Sequence, residues 1–465
     1  MKKLIATVTV TALAALGAAS LFLQPSQSQI LGPKELPTQG GTASLVCLGG
    51  VTPGVKAGVS ASKTDARLSG QGLVLSTAAG GTWSDSSGKR RISVGALTDP
   101  TKSVLGVGDA RGVATFDTNA LHDAVVAGSS SHEAAAGDLR SLAVSPCMWA
   151  TSDMYLVGGS GGVGSANRLV LSNPSPTAVA IDIQGYSARG PIRLGGASQV
   201  VLAPGGYQEI WLDGLIEAKK EVALHLSTKS GKFGAVIQTS ALEGAKPAGV
   251  SFVSASSFGR NLVIPGLSVP AQGDSLLPDR GWSGTVRLLN PTDHPATVAL
   301  STISVSGRRP LQGAQDIEIV PGGVLDLTLD GLRPGDYALQ VASNSPVSAA
   351  VGTSITTSGG TDTAWAAAVP EFSRSAAVAS GTLHLVGEGR AEVTTYKKDG
   401  SVLATRSVNV KALATVDITD AAAVSVVAST PMRGAVAEKS DTGIEWVPLS
   451  ASGSSATSLD VQLLN

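Results

Sequence analysis

Leu169-Val-Leu171-Ser-Asn173-Pro174 returns downstream as Val286-Arg-Leu288-Leu-Asn290-Pro291. Pro204-Gly-Gly206 returns as Pro321-Gly-Gly323, and Leu212-Asp-Gly-Leu215 as Leu329-Asp-Gly-Leu332. Each landmark is displaced by 117 residues. Three landmarks sharing one displacement across about 45 residues mark a domain-sized duplication.

Within the duplicated stretch the texture is that of strands. Val179, Ile181 and Ile183 alternate with smaller or polar residues, which places them on one face of a half-buried strand. Asn173-Pro174 ends the strand before it, because proline has no N–H for a ladder and biases its predecessor away from helix. Further strands are expected at 199–202, 208–212, 221–227 and 233–239, with Gly205-Gly206 turning the chain between two of them. Leu327 and Leu329 fall on Ile210 and Leu212 at the repeat displacement, so both copies turn the same face inward.

Working outward, the first repeat occupies 155–259 and the second 260–372. A shortened third, 373–450, carries Lys411-Ala-Leu413 where the others have Pro-Gly-Gly. An N-terminal β domain, 43–154, closes in a comparable way and reads as a possible degenerate copy, with one helical candidate at 118–127. Residues 25–42 read as a linker and 451–465 as a frayed tail. Seven or eight short strands per roughly 80 to 115 residues, cut by Gly and Pro, predict an all-β chain of tandem immunoglobulin-like antiparallel β-sandwich domains.

Charged residues make up 15% of the chain and aromatics 4%, while 56 of 465 residues are Gly. That composition suits an exported β-rich protein better than a cytosolic enzyme. With net charge −1 and no basic run longer than Lys89-Arg90-Arg91, nucleic acid is excluded as a partner. Met1-Lys2-Lys3 followed by an uncharged apolar run marks 1–24 as a signal peptide or an N-terminal membrane anchor, and both readings place the bulk outside the cell. Only two cysteines exist, and export makes a Cys47–Cys147 disulfide the expectation, with two buried thiols as the alternative.

Catalytic chemistry finds little support. Gly158-Gly-Ser-Gly-Gly-Val-Gly164 fits both the dinucleotide fingerprint and the nucleophile elbow, yet each requires a helix next, and Ser165-Ala-Asn-Arg-Leu-Val-Leu171 is strand-like. A flexible loop is the expected role. His122, His132, His225, His294 and His384 lack the close spacing of a zinc site, and the two within strands, His225 and His384, are expected to face outward. Asp213 and Asp330 recur at the repeat displacement, as turn residues or as a cation or contact surface. The tryptophans at 83, 149, 211, 282, 365 and 446 are expected as core anchors, or as sugar-stacking platforms if exposed.

Leu45-Val-Cys-Leu-Gly-Gly50, Gly137-Asp-Leu-Arg140 before Cys147, the segment 154–159 and the repeat landmarks together resemble an exported actinobacterial cell-envelope family catalogued only as a domain of unknown function. The resemblance covers residues 43–450. It departs at Leu48, where a proline is expected after the cysteine, and this affects the local turn. It implies an envelope-associated, non-enzymatic protein and supplies no catalytic residues. The expected function is a structural or protein-interaction scaffold, the alternative a carbohydrate-binding module on cell-wall polysaccharide. No catalytic, cofactor-binding or metal residues are expected. The expected partners are envelope proteins or wall glycan, with the membrane added if the leader is uncleaved.

Overall fold

The computed structural model describes residues 34–37, 41–52, 71–77, 81–85, 91–94, 104–108, 111–121, 124–216, 221–271, 282–329, 331–357, 360–451 and 458–461. The leader 1–24 lies outside them. Two compact units are formed, one from the chain ends and one from residues 40–455. In the first, Lys34–Pro37 pairs antiparallel with Ser458–Val461. The linker expected over 25–42 and the tail expected over 451–465 therefore each contain a strand, whose backbone groups satisfy one another.

The large unit is all-β, with no α-helix among the described residues. Its organising pattern, among the described residues, is a set of four antiparallel strands that occurs four times with one strand order, twice as a separate sheet and twice within a larger one. The N-terminal version runs Val104–Gly108, Gln71–Ser76, Val126–Ala134, Ser141–Pro146. In the first repeat the order is Tyr207–Trp211, Ser165–Ser172, Gly234–Glu243, Lys246–Val253. The second uses Val324–Thr328, Ser283–Leu289, the later part of Gly335–Thr357, and Gly360–Ala367. The third uses Leu413–Asp417, Thr382–Val386, the later part of Ala423–Lys439, and Ile444–Pro448. A second sheet packs on each to complete a sandwich. In the first repeat that sheet holds Val179–Ser187, Ala223–Ser227 and Asp153–Val157 side by side.

The helix candidate at 118–127 resolves differently. Thr118–Leu121 is a single 3-10 turn, and Val126 already opens a strand paired on both sides. The β-branched pair Val125-Val126 and the serine run behind it favour the extended state once two partners are present.

Cross-strand register carries the duplication into three dimensions. Leu169 lies opposite Ile210, and Val286 opposite Leu327; Ile181 lies opposite Val200, and Val298 opposite Ile317. The Asn-Pro landmark has its own explanation. Asn173 is fully buried, and its Nδ2 donates to the carbonyls of Thr177, Leu202 and Ala203 at 2.8, 3.2 and 2.9 Å. Asn290 donates to His294, Ile319 and Val320 at 2.7, 3.1 and 3.3 Å. Each Asn Oδ1 accepts the N–H two residues on, from Ser175 or Thr292. One side chain thus ties a strand end, the next strand's start and the Pro-Gly-Gly turn together.

The four sandwiches close into a ring. Their last strands, Ser141–Pro146, Lys246–Val253, Gly360–Ala367 and Ile444–Pro448, pack against one another in sequence, and the first packs on the last. Trp446 of the third repeat donates its Nε1 to the Pro265 carbonyl of the second at 2.7 Å. Its ring fills the space over Gly266, where a Cβ would come within 2.8 Å. Trp365 lies in the same way over Gly158 of the first repeat, 2.9 Å from where a Cβ would stand. Ser129 donates to the Val378 carbonyl at 2.7 Å, joining the N-terminal sandwich to the third repeat.

Cys47 and Cys147 are joined, bridging Thr42–Leu48 to the residue after Ser141–Pro146 across 100 residues. Removing a native disulfide typically costs about 2 to 5 kcal/mol. Reduction is therefore expected to lower the unfolding free energy by an amount in that range, read from denaturant unfolding curves. The denatured, unreduced protein should titrate with no free thiol; two thiols would refute the bridge.

Candidate recognition surface

On the sheet of the first repeat, alternation sends Ile181, Ile183, Leu224, Leu226, Met154 and Leu156 into the core. Their neighbours must face the other way. Register then lines up two rows across three strands: Gln184, His225 and Tyr155 in one, Asp182, Ser227 and Asp153 in the next. Phe258, from the strand that opens the second repeat, continues the first row. Tyr155 stacks on His225 at 4.3 Å between ring centroids and on Phe258 at 4.7 Å. Phe258 is 43% exposed and ends the stack.

Polar contacts fix the strip. His225 Nε2 sits 2.7 Å from Asp153 Oδ2, and Gln199 Nε2 donates to Asp182 Oδ1 at 2.6 Å. Burial and the Asp153 charge push the Tyr155 hydroxyl up to about 12, so it is a neutral phenol at physiological pH. Beside the rows opens a cleft of about 550 Å³, lined by Asp182, Gln184, Ile192, Arg193, His225 and Ser227.

The glycine motif at 158–164 is an interface loop of the ring. Arg287 of the second repeat, itself buried, pairs with Asp326 through two bonds of 2.8 Å and donates Nη1 to the carbonyls of Gly159 and Val222. Asn167 holds the loop from the other side, donating to the Ser160 carbonyl at 2.7 Å and accepting from its N–H at 3.2 Å. Asp213 in turn accepts from Asn167 N and Nδ2 at 3.0 and 3.2 Å, a structural role that ties its turn to the strand 46 residues earlier rather than capping the turn itself. Asp330 and His122 lie outside the described residues.

Of the strand histidines, His225 faces outward as expected, whereas His384 does not. The third repeat packs this face against the second, so His384 is fully buried, with Nε2 3.2 Å from Asp336 Oδ1 and Nδ1 3.1 Å from the Thr382 carbonyl. The hydrogen bond from His384 holds the Asp336 carboxyl below the usual range. Trp83, Trp365 and Trp446 are buried. Trp211 is 43% exposed, but the Arg168 guanidinium lies 5.5 Å from its ring centre. The exposed aromatic of the strip is instead Phe258, a residue the sequence did not single out.

The sequence also gave no sign of two buried acids where the closing strands meet. Asp362 Oδ2 accepts Leu142 N at 3.2 Å and Ile444 N at 3.0 Å. Glu445 accepts Val144 N at 3.3 Å, Trp446 N at 3.0 Å and the Ser251 hydroxyl at 3.2 Å. Burial pushes Asp362 up to about 8 and Glu445 well above the carboxylate range. Leu142 and Val144 are alternate residues of one strand, so the two carboxyls cap the edge that its own sheet leaves open. Among the described residues no cluster of three or more His, Cys, Asp or Glu could hold a metal ion, and no helix is long and apolar enough to cross a membrane.

A family model, DUF5719, matches residues 106–421. The chain belongs to this family of unknown function. The match runs from within the N-terminal sandwich into the third repeat, so the family spans most of the ring. No curated protein matches. Among solved structures, Thermotoga maritima 1070 is 18% identical over 24% of this chain and 93% of its own, with a TM-score of 0.20. A Streptomyces avermitilis alpha-L-rhamnosidase complexed with L-rhamnose is 9% identical over 83% of this chain and 54% of its own, with a TM-score of 0.15. TM-scores this low carry nothing about fold or function.

Proposed function

We propose that this DUF5719 member is a non-enzymatic, exported scaffold of the cell envelope that presents the strip on the first repeat as a recognition surface. The observation that carries this reading is the register itself: two rows of polar and aromatic side chains, Tyr155 buried between His225 and the exposed Phe258, set on strands whose opposite faces are locked in a core. A surface so mounted loses little conformational freedom on binding. The disulfide and the apolar leader support an oxidising, extracytoplasmic setting. The Asp153–His225 pair lies stacked and hydrogen-bonded in the strip, where it orients rings.

Capture from envelope extracts tests the reading. The oxidised protein should retain specific envelope material, and the double variant Gln184→Ala/Phe258→Ala should retain at least about tenfold less, the loss expected when one anchor worth roughly 1.4 kcal/mol is removed. Equal retention by both proteins would place recognition elsewhere or nowhere.

A further inference from the structure

Resting on that reading of the strip, we infer that its ligand is an uncharged polysaccharide that spans the strip, one sugar ring meeting Phe258 at one end and the hydroxyls of later units directed at Asp182, Gln184, Arg193 and Ser227 in the cleft at the other. Four observations converge on this class.

The first is charge. Asp153 is hydrogen-bonded to His225 at 2.7 Å, Asp182 is bonded to an amide, and Arg193 lines the same cleft as Asp182. The cleft thus mixes both signs and offers neither a polyanion nor a polycation a field to follow. The second is the aromatic. Phe258 is backed by Tyr155 and His225 in one continuous stack, so its ring is held in place before anything binds, at the end of the row away from the cleft. The faces of a pyranose ring are lined with C–H groups and its rim with hydroxyls, which fits an apolar ring beside a row of donors and acceptors.

The third concerns what the floor lacks. Val179–Ser187 is paired on both sides, with Gly190–Ile192 and Gln199–Leu202 on one and Ala223–Ser227 on the other. Ala223–Ser227 is likewise paired on both sides, its second neighbour being Asp153–Val157. No open backbone edge is presented in the floor for an extended peptide to add a strand. Recognition there runs through side chains. The fourth is size: a cleft of about 550 Å³ lies within the roughly 300 to 1,000 Å³ of small-ligand sites and accepts a short run of sugar units rather than a protein face.

The test uses the oxidised full chain and, as probe, an uncharged envelope polysaccharide freed of protein, in a co-sedimentation titration. Binding should persist between about 0.05 and 0.5 M salt, since no screened charge pairs drive it. Phe258→Ala should weaken it at least about tenfold, while Phe258→Trp, which keeps a larger ring in place, should bind as well as the parent. Phe258 is exposed, so both variants should keep the oxidised disulfide and the parent denaturant midpoint, which separates lost binding from lost folding. Failure of the purified polysaccharide to bind, while capture from envelope extracts still depends on the strip, overturns the ligand class and leaves the scaffold standing. Strip-independent capture overturns both. Binding that collapses with salt, or is indifferent to Phe258→Ala, also overturns the inference.

Discussion

Asn290→Asp is expected to lower the unfolding free energy by about 5 kcal/mol or more, among the largest effects a single substitution has. The side chain is fully buried, and its two N–H groups are shared among three carbonyl oxygens, those of His294, Ile319 and Val320. Aspartate is nearly the same shape but has no N–H. It points an oxygen at three oxygens and, when ionised, leaves an unpaired charge in the core. Its remaining oxygen still accepts from Thr292, so the turn keeps its reason to form while the strand ends lose theirs. Asn290→Ala removes the same donor without adding charge and should cost less, about 2 to 4 kcal/mol. Asn173→Asp should match Asn290→Asp, because its three acceptors are the same positions one repeat earlier. Denaturant midpoints read out all of these. An Asn290→Asp protein within about 1 kcal/mol of the parent would show that the landmark is a simple strand end.

The second large effect is a dependence on pH set by the ring's centre. Asp362 has its folded pKa raised to about 8 by burial, against the backbone N–H groups of Leu142, Ile444 and Thr363 and the Arg140 charge, which pull it down. Glu445 is raised by burial and by Asp362; Glu438, half-buried beside Glu133, is raised to about 7. Below pH about 4 both the folded and unfolded carboxyls hold their protons, and the raised pKa changes nothing. As pH climbs from about 4 towards 8, the unfolded chain releases protons that the folded chain keeps, and stability falls. For Asp362 alone the change is on the order of 5 kcal/mol over that window. Buried His132 acts in the opposite sense: its pKa is lowered, so its contribution is lost as pH falls below about 6.5. The interval from pH about 6.5 to 8 is therefore the informative one, and the unfolding midpoint should drop steadily across it. Asp362→Asn should flatten that slope without collapsing the protein, since the amide oxygen still accepts from Leu142 and Ile444. A midpoint that rises between pH 6.5 and 8 would contradict the buried, protonated state.

What could be read from the chain beforehand followed the reach of each interaction. Asn173, Pro-Gly-Gly and Asp213 act within about one sandwich, and their fixed displacement marks the repeat in the sequence itself. Alternation at Val179, Ile181 and Ile183 gave the inward face, because a strand's two-residue period is local. His384 departs from the expectation because its outward face is outward only within its own sandwich; the second repeat covers it. The buried acids were silent for the same reason. Leu142 and Asp362 are 220 residues apart, Val144 and Glu445 301, and no pattern at either end signals the meeting. The recognition strip falls between these cases: His225 carried a legible direction, whereas Phe258 joined it only through stacking across the seam between repeats.

Closure of the ring has a consequence for how this architecture can evolve. A linear array of repeats has two ends, gains or loses units one at a time, and needs a specialised cap at each end. Here the bond from Ser129 to Val378 and the edge of Ser141–Pro146, held by Asp362 and Glu445, make the first sandwich the neighbour of the last. An inserted or deleted unit would not shorten a stack; it would strand an unmatched face on each side of the break. Among the described residues the ring holds four sandwiches, and closure disfavours a change in that number while leaving the outer surfaces open to divergence.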